Sequence, residues 1–389
     1  MKMKYELATL SWDEKEKEAI KRVMDSDIYT MGENVYKFEE MFAQYVGSKY
    51  AVMVNSGSSA NLLMIASLFY SKTFNIKKGD EVIVPAVSWS TTYMPLQQYG
   101  LKLKFIDIDI NTLNFDLEKL KRAITDKTKI VFAVNLLGNP NDYDKIKEFI
   151  GDKNIILLED NCESLGAIYK GKQLGTIGLM GTYSTFFSHH MATMEGGLVV
   201  TYDEELYHIL LSLRAHGWTR QLPKNNKLCV KSDNPFEESF RFILPGYNVR
   251  PLEMSGALGI EQLKKLSKFI EERRKNATYF VDKFKDDNRF IIQKEIEQSS
   301  WFGFSFIIKE NVKISRKDII NKFLLNDIEV RPIVSGNFLK NEVIKYFDYE
   351  IFEDVNNAEL LDKNGFFVGN HHFDIRDKID YLENILGEL

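Results

Sequence analysis

The residues best suited to chemistry in this chain follow short apolar runs. One group is Ser184-Thr185-Phe186-Phe187-Ser188-His189-His190, with Glu195-Gly196-Gly197 close behind. Two of the six histidines are adjacent here. Neighbouring side chains on an extended segment point to opposite sides, so the pair does not clamp a metal. One imidazole facing a cleft would serve as acid or base, and a hydrogen-bonded structural histidine is the alternative. The chain is lysine-rich, yet no lysine lies between Lys172 and Lys224.

A second group, Asn55-Ser56-Gly57-Ser58-Ser59-Ala60-Asn61, follows the apolar run 51–54 and precedes a helical pattern. Small hydroxyl residues and a glycine let backbone N–H groups close on an anion such as phosphate at a helix N-terminus. A capped helix start without a ligand accounts for the same residues. No Gly-Lys-Ser/Thr follows, so this is not a Walker motif. Trp89 follows the run 82–86 and would stack on a flat ring or fill a core. Glu159-Asp160 closes the run 154–158, offering a carboxylate to a cationic ligand atom, or else a helix cap or solvated acid.

These groups need a scaffold that brings strand ends together. Apolar β-branched runs at 82–86, 103–108, 130–137, 155–158 and 198–201 alternate with helical patterns at 58–70, 91–99, 116–123 and 142–150. That alternation predicts a mainly parallel sheet covered on both faces, with ligands at the carboxyl ends of its strands. After about residue 245 the texture changes. A long helix is expected over 252–285, a strand over 301–308, and helices over 315–326 and 376–386. The expected organisation is a large domain over 1–249 and a smaller α/β domain over 250–389.

Composition narrows the classes. With 51 Lys+Arg against 56 Asp+Glu the net charge is −5, which gives no electrostatic reason to expect nucleic acid, a partner that rewards a basic face. Hydrophobic content of 44% with 28% charged residues is that of a soluble globular chain. No apolar window approaches the roughly 20 residues of a spanning helix, so no membrane partner is expected. Two cysteines, Cys162 and Cys229, supply neither a disulfide framework nor a four-Cys metal site. No secretory leader is read at the N-terminus, and the expected compartment is the cytoplasm.

In this order and spacing, the features resemble the sugar-nucleotide aminotransferases, which have the aspartate-aminotransferase fold (fold type I) and use pyridoxal 5′-phosphate. The resemblance runs through Ser56-Gly57-Ser58, Trp89, Asp160, Ser184, Glu195-Gly196-Gly197 and Gly246-Tyr247-Asn248-Val249-Arg250, nearly the whole chain. It implies an α/β fold with a mainly parallel seven-stranded-type sheet and a smaller C-terminal α/β domain. By the same resemblance Ser56, Gly57, Ser58 and Ser184 hold the cofactor phosphate. Trp89 stacks on the ring, Asp160 pairs with the ring nitrogen, and Glu163 contacts the O3′ side. Asn248 reaches the phosphate of the other subunit, implying a homodimer with shared active sites. His216, Arg220 and Arg331 are the candidates for sugar or pyrophosphate, since arginine matches phosphate geometry.

One position departs from the family. Six residues before Glu195, where a lysine bonds covalently to the cofactor, this chain has His189. An imidazole cannot hold that bond stably. The exchange is similar to that in family members which remove the 3-hydroxyl of a GDP-linked 4-keto-6-deoxy sugar. It implies a lyase in which L-glutamate converts pyridoxal phosphate to pyridoxamine phosphate. The sugar's C4 ketone then condenses with the cofactor amine, His189 removes the C4′ proton, and the 3-hydroxyl leaves. Hydrolysis of the released product gives ammonia and a 4-keto-3,6-dideoxy sugar of the kind used in lipopolysaccharide or capsule. The same chemistry on a heptose, a sugar aminotransferase with a displaced lysine, and an inactive sugar-nucleotide-binding or regulatory protein are the alternatives. A related dehydratase type with a [2Fe–2S] cluster needs more cysteines than this chain has.

Overall fold

The computed structural model describes residues 3–389. The strands are β1 (Tyr50–Val54), β2 (Glu81–Pro85), β3 (Lys102–Ile106), β4 (Thr128–Val134), β5 (Ile156–Asp160), the hairpin β6 (Ile168–Tyr169) and β7 (Lys172–Gln173), β8 (Met180–Ser184), β9 (Gly197–Thr201), β10 (Phe290–Ile292), β11 (Gly303–Ile308), β12 (Tyr349–Ile351) and β13 (Gly365–Gly369). The helices are α1 (Glu14–Asp25), α2 (Glu33–Val46), α3 (Gly57–Tyr70), α4 (Ser90–Gln98), α5 (Leu117–Ala123), α6 (Tyr143–Ile150), α7 (Glu204–Arg214), α8 (Pro235–Glu238), α9 (Glu253–Phe284), α10 (Arg316–Leu325), α11 (Asn356–Asn364) and α12 (Arg376–Gly387).

The central sheet has the order β1-β9-β8-β5-β4-β2-β3-β12. Strand β9 runs antiparallel to β1 and β8, and every other neighbouring pair is parallel. Seven strands come from residues 50–201. The eighth, β12, returns from the C-terminal part as a short edge strand beside β3. Its Glu350 accepts from Lys102 at 2.7 Å and pairs with Lys104 at 3.2 Å, while buried Lys104 reaches Glu81 at 2.7 Å.

Alternate residues of these strands feed two separate layers, as a sheet covered on both faces requires. Val52, Val54, Val82, Val84, Ile130, Phe132 and Leu158 pack under α3, α4 and α7. On the other face Met53, Leu198 and Val200 meet α2 and α9, and Ile83, Val131 and Ala133 meet α5 and α6. Side-chain N-caps start the crossover helices: Ser56 for α3, Asp116 for α5, Asp142 for α6 and Asp203 for α7.

A second, antiparallel sheet, β10-β11-β13, carries an aromatic core with α9, α10 and α12. Phe280 stacks on Phe304 at 4.2 Å. Tyr5 of the N-terminal segment enters this core and donates to the Gly369 carbonyl at 2.7 Å. Helix α9 serves both cores. Leu263 and Leu266 pack against α2, whereas Ala277, Phe280 and Phe284 pack against the small sheet.

One buried ion pair ties α2, β1 and α7 together. The fully buried Arg214 guanidinium bonds to Glu39, to the Met53 carbonyl at 2.7 Å and to Gln221 at 3.2 Å. Glu39 also accepts from the Met53 N–H at 2.6 Å, and its burial pushes its pKa up. Replacing Arg214 alone strands a buried carboxylate, so Arg214→Met should cost roughly 3–5 kcal/mol of unfolding free energy in denaturant titrations. The double variant Glu39→Leu/Arg214→Met should recover part of that loss, since no buried charge is then left unpaired.

Candidate active site

The carboxyl ends of β1, β2, β4, β5 and β8 meet at one edge of the sheet, where the antiparallel β9 begins. There they enclose a cavity of about 340 Å³. Ser56, Gly57, Ser58, Trp89, Asp160, Glu163, Ser184 and His189 all line it.

Asp160 ends β5, and its buried carboxylate is fixed by three donors. Asn61 on α3 and Thr92 on α4 each donate to one oxygen at 2.8 Å, and the Cys162 N–H donates to the other at 3.1 Å. Asn61 is itself held by Thr182 of β8 at 2.6 Å, and Thr92 meets Ser88 at 2.8 Å. The carboxylate therefore presents a fixed direction to the cavity. Beside it, Ser56 caps α3 by accepting from the Ser59 N–H at 3.1 Å. The Gly57 and Ser58 N–H groups lie in the first turn, where a helix has no internal partner for them. A Cβ on Gly57 would stand 2.7 Å from the Ser184 Cβ and 3.0 Å from the Cys162 sulfur. Only glycine lets α3 begin this close to β8, which leaves its positive end beside the Ser184 hydroxyl.

Trp89 precedes α4 and is 57% exposed, forming one wall of an open cavity. Glu163 accepts from the Leu137 N–H at 3.0 Å. Burial raises its carboxyl to about 7, the Leu137 bond working against that rise and the Asp160 charge with it. A carboxyl of this kind is half protonated at neutral pH and can donate to an oxyanion. His189 sits in a turn, where an extended segment was expected, and borders the cavity. Burial, with the charge of Arg273, lowers its imidazole to about 4, so it is a free base at neutral pH. His190 points away. It is buried against the Ser300 carbonyl, with Nε2 at 3.1 Å.

The other proposed residues lie elsewhere on the same chain. Asn248 is exposed and accepts from Arg250 at 3.0 Å, while the neighbouring Val249 carbonyl takes the Asn55 N–H at 3.0 Å. His216 and Arg220 flank Trp218, at 4.7 and 5.9 Å from its ring. Arg331 is exposed, and among the described residues its guanidinium bonds only to the Val330 carbonyl. None of the four borders the cavity. The structure adds Asn61, Thr91, Asn135, Phe186 and Ser188 to its walls, with Val334 from the C-terminal part. Val334 is β-branched with φ +43°, a strained conformation next to a cavity. Among the described residues no lysine lies in the lining, and no cluster of His, Cys, Asp or Glu is arranged for a metal ion.

These groups fit pyridoxal phosphate: an anion cradle at α3, a fixed carboxylate for a pyridinium nitrogen, a flat aromatic wall and an acid of raised pKa. They do not offer the covalent lysine. The chain belongs to the DegT/DnrJ/EryC1/StrS aminotransferase family, whose pattern matches residues 11–368. It is 64% identical over 384 residues to GDP-4-keto-6-deoxy-D-mannose 3-dehydratase of Escherichia coli O55:H7, covering 98% of this chain and 99% of that protein. The solved structure of the E. coli enzyme with bound hydrated PLP is 63% identical, with a TM-score of 0.98 over 99% of this chain and 100% of that one. A structure of GDP-4-keto-6-deoxymannose-3-dehydratase with a trapped PLP-glutamate geminal diamine is 64% identical, with a TM-score of 0.97 over 98% and 100% of the two chains. The fold is therefore that of the fold type I sugar aminotransferases, as the motif order implied.

The state of His189 can be measured directly. In cofactor-free protein its ring resonances should stay those of a neutral imidazole until the pH falls to about 4. The unfolded chain takes up this proton first, near pH 6.5. The group's contribution to stability is thus present above about 6.5 and lost as pH falls towards its folded value. His189→Asn should therefore lose less unfolding free energy than the parent between pH 6.5 and 4.

Proposed function

We propose that this chain is a pyridoxal-phosphate-dependent lyase that removes the C3 hydroxyl of GDP-4-keto-6-deoxy-D-mannose. L-Glutamate is the amino donor, and the products are GDP-4-keto-3,6-dideoxy-D-mannose, 2-oxoglutarate and ammonia. The observation that carries this reading is His189, a neutral imidazole on the cavity wall where the family has its lysine.

When bound, the cofactor supplies amine exchange and an electron sink. The chain does the rest. The first turn of α3 and Ser184 take the phosphate, and Trp89 faces the ring. Asp160, held by Asn61, Thr92 and the Cys162 N–H, keeps the ring nitrogen protonated. Glu163 donates its proton towards the ring oxygen. His189 Nε2 takes the proton from the carbon that carries the amine, and the imidazolium so formed returns a proton to the departing 3-hydroxyl. With no lysine to recapture the cofactor, the product is free to leave and hydrolyse.

We further propose a homodimer with shared sites. Phe236, Phe240 and Phe242 are 86%, 72% and 53% exposed, and Arg220 and Arg250 lie 5.9 and 5.7 Å from the Trp218 ring. Such an apolar and cationic surface beside Asn248 suits burial by a second copy, with His216 and Arg220 turned to the partner's substrate. No helix among the described residues is long and apolar enough to cross a membrane. Placement in the cytoplasm accords with Cys162 and Cys229 both being free thiols.

His189→Asn removes the base and keeps the ring's approximate shape. Dehydration should fall roughly 10²–10⁴-fold in an assay that identifies the sugar product by mass. His190→Asn should be far milder, and parental turnover in His189→Asn would refute the reading. Borohydride treatment should leave the protein mass unchanged, because position 189 carries no amine. Shared sites have their own test. Mixing inactive His189→Asn and Asn248→Ala subunits should restore activity that neither has alone, and no recovery in confirmed hybrids would refute sharing.

A further inference from the structure

A catalytic imidazole is ordinarily oriented by a hydrogen bond from its second nitrogen to a carboxylate or carbonyl. His189 has none. Its Nδ1 is buried without a polar partner, which leaves Nε2 as the nitrogen that reaches the cavity. What confines the ring is aromatic packing. Phe186 and Phe302 stand edge-on to it, with centroids at 5.9 and 5.1 Å and interplanar angles of 81° and 65°. Phe186 belongs to the same turn, its carbonyl accepting the His189 N–H at 2.9 Å, and so moves with the histidine. Phe302 precedes β11 in the C-terminal part and is an independent reference point.

The backbone of Phe302 is fixed from two sides. Its N–H donates to the Leu137 carbonyl at 3.0 Å, and its carbonyl accepts from Arg273 at 3.2 Å. The same Arg273 nitrogen donates to the Asn370 carbonyl at 2.8 Å. Arg273 is 5% exposed, and among the described residues its Nε has no partner and no carboxylate neutralises it, a costly placement for a cation. On the far side, a Cβ on Gly138 would lie 2.7 Å from the Trp301 nitrogen, so glycine is needed for residues 299–302 to dock there. Leu137 passes the constraint on, since its N–H holds Glu163. One residue thus packs its ring on the base and, through the single intervening residue Leu137, is linked to the acid.

We propose that Phe302 is a positioning residue of the reaction: its ring sets the plane of the His189 imidazole, and its N–H, through Leu137, sets the Glu163 carboxyl. This rests on the reading of His189 as the base. Phe302→Leu keeps the peptide groups and much of the apolar volume and removes the ring. It should lower kcat by roughly 10- to 100-fold, the cost of a misplaced reacting group, with KM for the GDP-sugar unchanged. In cofactor-free protein the C2–H exchange rate of His189, followed by mass spectrometry, should rise severalfold. His371, held by Thr9 at 2.9 Å and the Glu6 carbonyl at 2.9 Å, should exchange as in the parent. Phe302→Tyr retains the ring and should restore both readouts. Should Phe302→Leu fail to fold, Arg273→Lys weakens the grip on the Phe302 carbonyl and should move the same two readouts. Parental kcat with parental His189 exchange overturns the proposal, as does faster exchange at every histidine. Failure of the base reading looks different: His189→Asn would then keep its turnover, and the exchange rates would still report on the packing.

Discussion

The Asp160 carboxylate is the point from which the rest of the cavity is measured. It is buried at the end of β5, and a buried carboxylate persists as an anion only where donors replace its lost water. The donors come from α3, from α4 and from its own loop, so one small group fixes the relative placement of three elements. Asn61 is bonded in turn to Thr182, which ties β8 to the same cluster. The start of α3, the wall bearing Trp89 and the Ser184 hydroxyl all take their positions from these bonds. The start of α3 and the Asp160 carboxylate are thus located by one connected network.

The glycine at position 57 and the serine cap at 56 serve the same constraint from the other side. The helix must start close enough to β8 for its free N–H groups and the Ser184 hydroxyl to meet one anion, and no side chain fits between them. Sequence alone exposes this feature, because Ser-Gly-Ser after an apolar run is a local pattern. Trp89 and Asp160 are legible because they follow or close an apolar run, whereas Ser184 and His189 are legible through the motif that ends in Glu195-Gly196-Gly197. The donors that orient Asp160 are not. Asn61 and Thr92 are neutral polar residues inside helical patterns, and nothing local marks them as inward-facing. Strand β8, Met180-Gly181-Thr182-Tyr183-Ser184, escapes the apolar-run criterion because its buried residues are small or hydroxylated. The edge strand β12 is short and half exposed, and its pairing with β3 spans some 250 residues of sequence. The strained Val334 wall is equally remote. Such contacts are set by tertiary packing, which no local spacing reports.

Helix α9 shows why the two parts of the chain resist a sharp division in sequence. Its 32 residues begin against α2 and end in the small-sheet core, and its middle carries Arg273. The C-terminal part therefore contributes more than a lid of substrate-side residues. Through Ser335, which donates to the Ser88 carbonyl at 2.5 Å, and through the Ser300 carbonyl, 3.1 Å from His190 Nε2, it braces the loops that hold Trp89 and His189.

Replacing the lysine with histidine changes more than the nucleophile. A lysine at this place is tethered by its bond to the cofactor and needs little else to orient it. An imidazole has no such tether and must be placed by its surroundings. A polar partner at Nδ1 would place it, and a carboxylate there would also stabilise the imidazolium and raise the pKa. The structure supplies the opposite environment: two aromatic edges, burial and a nearby unpaired guanidinium. Burial and the guanidinium both disfavour the charged ring. On the proposed mechanism, an imidazole so placed would hold a proton only transiently, which suits a step in which the same group takes a proton from carbon and returns one to a leaving hydroxyl.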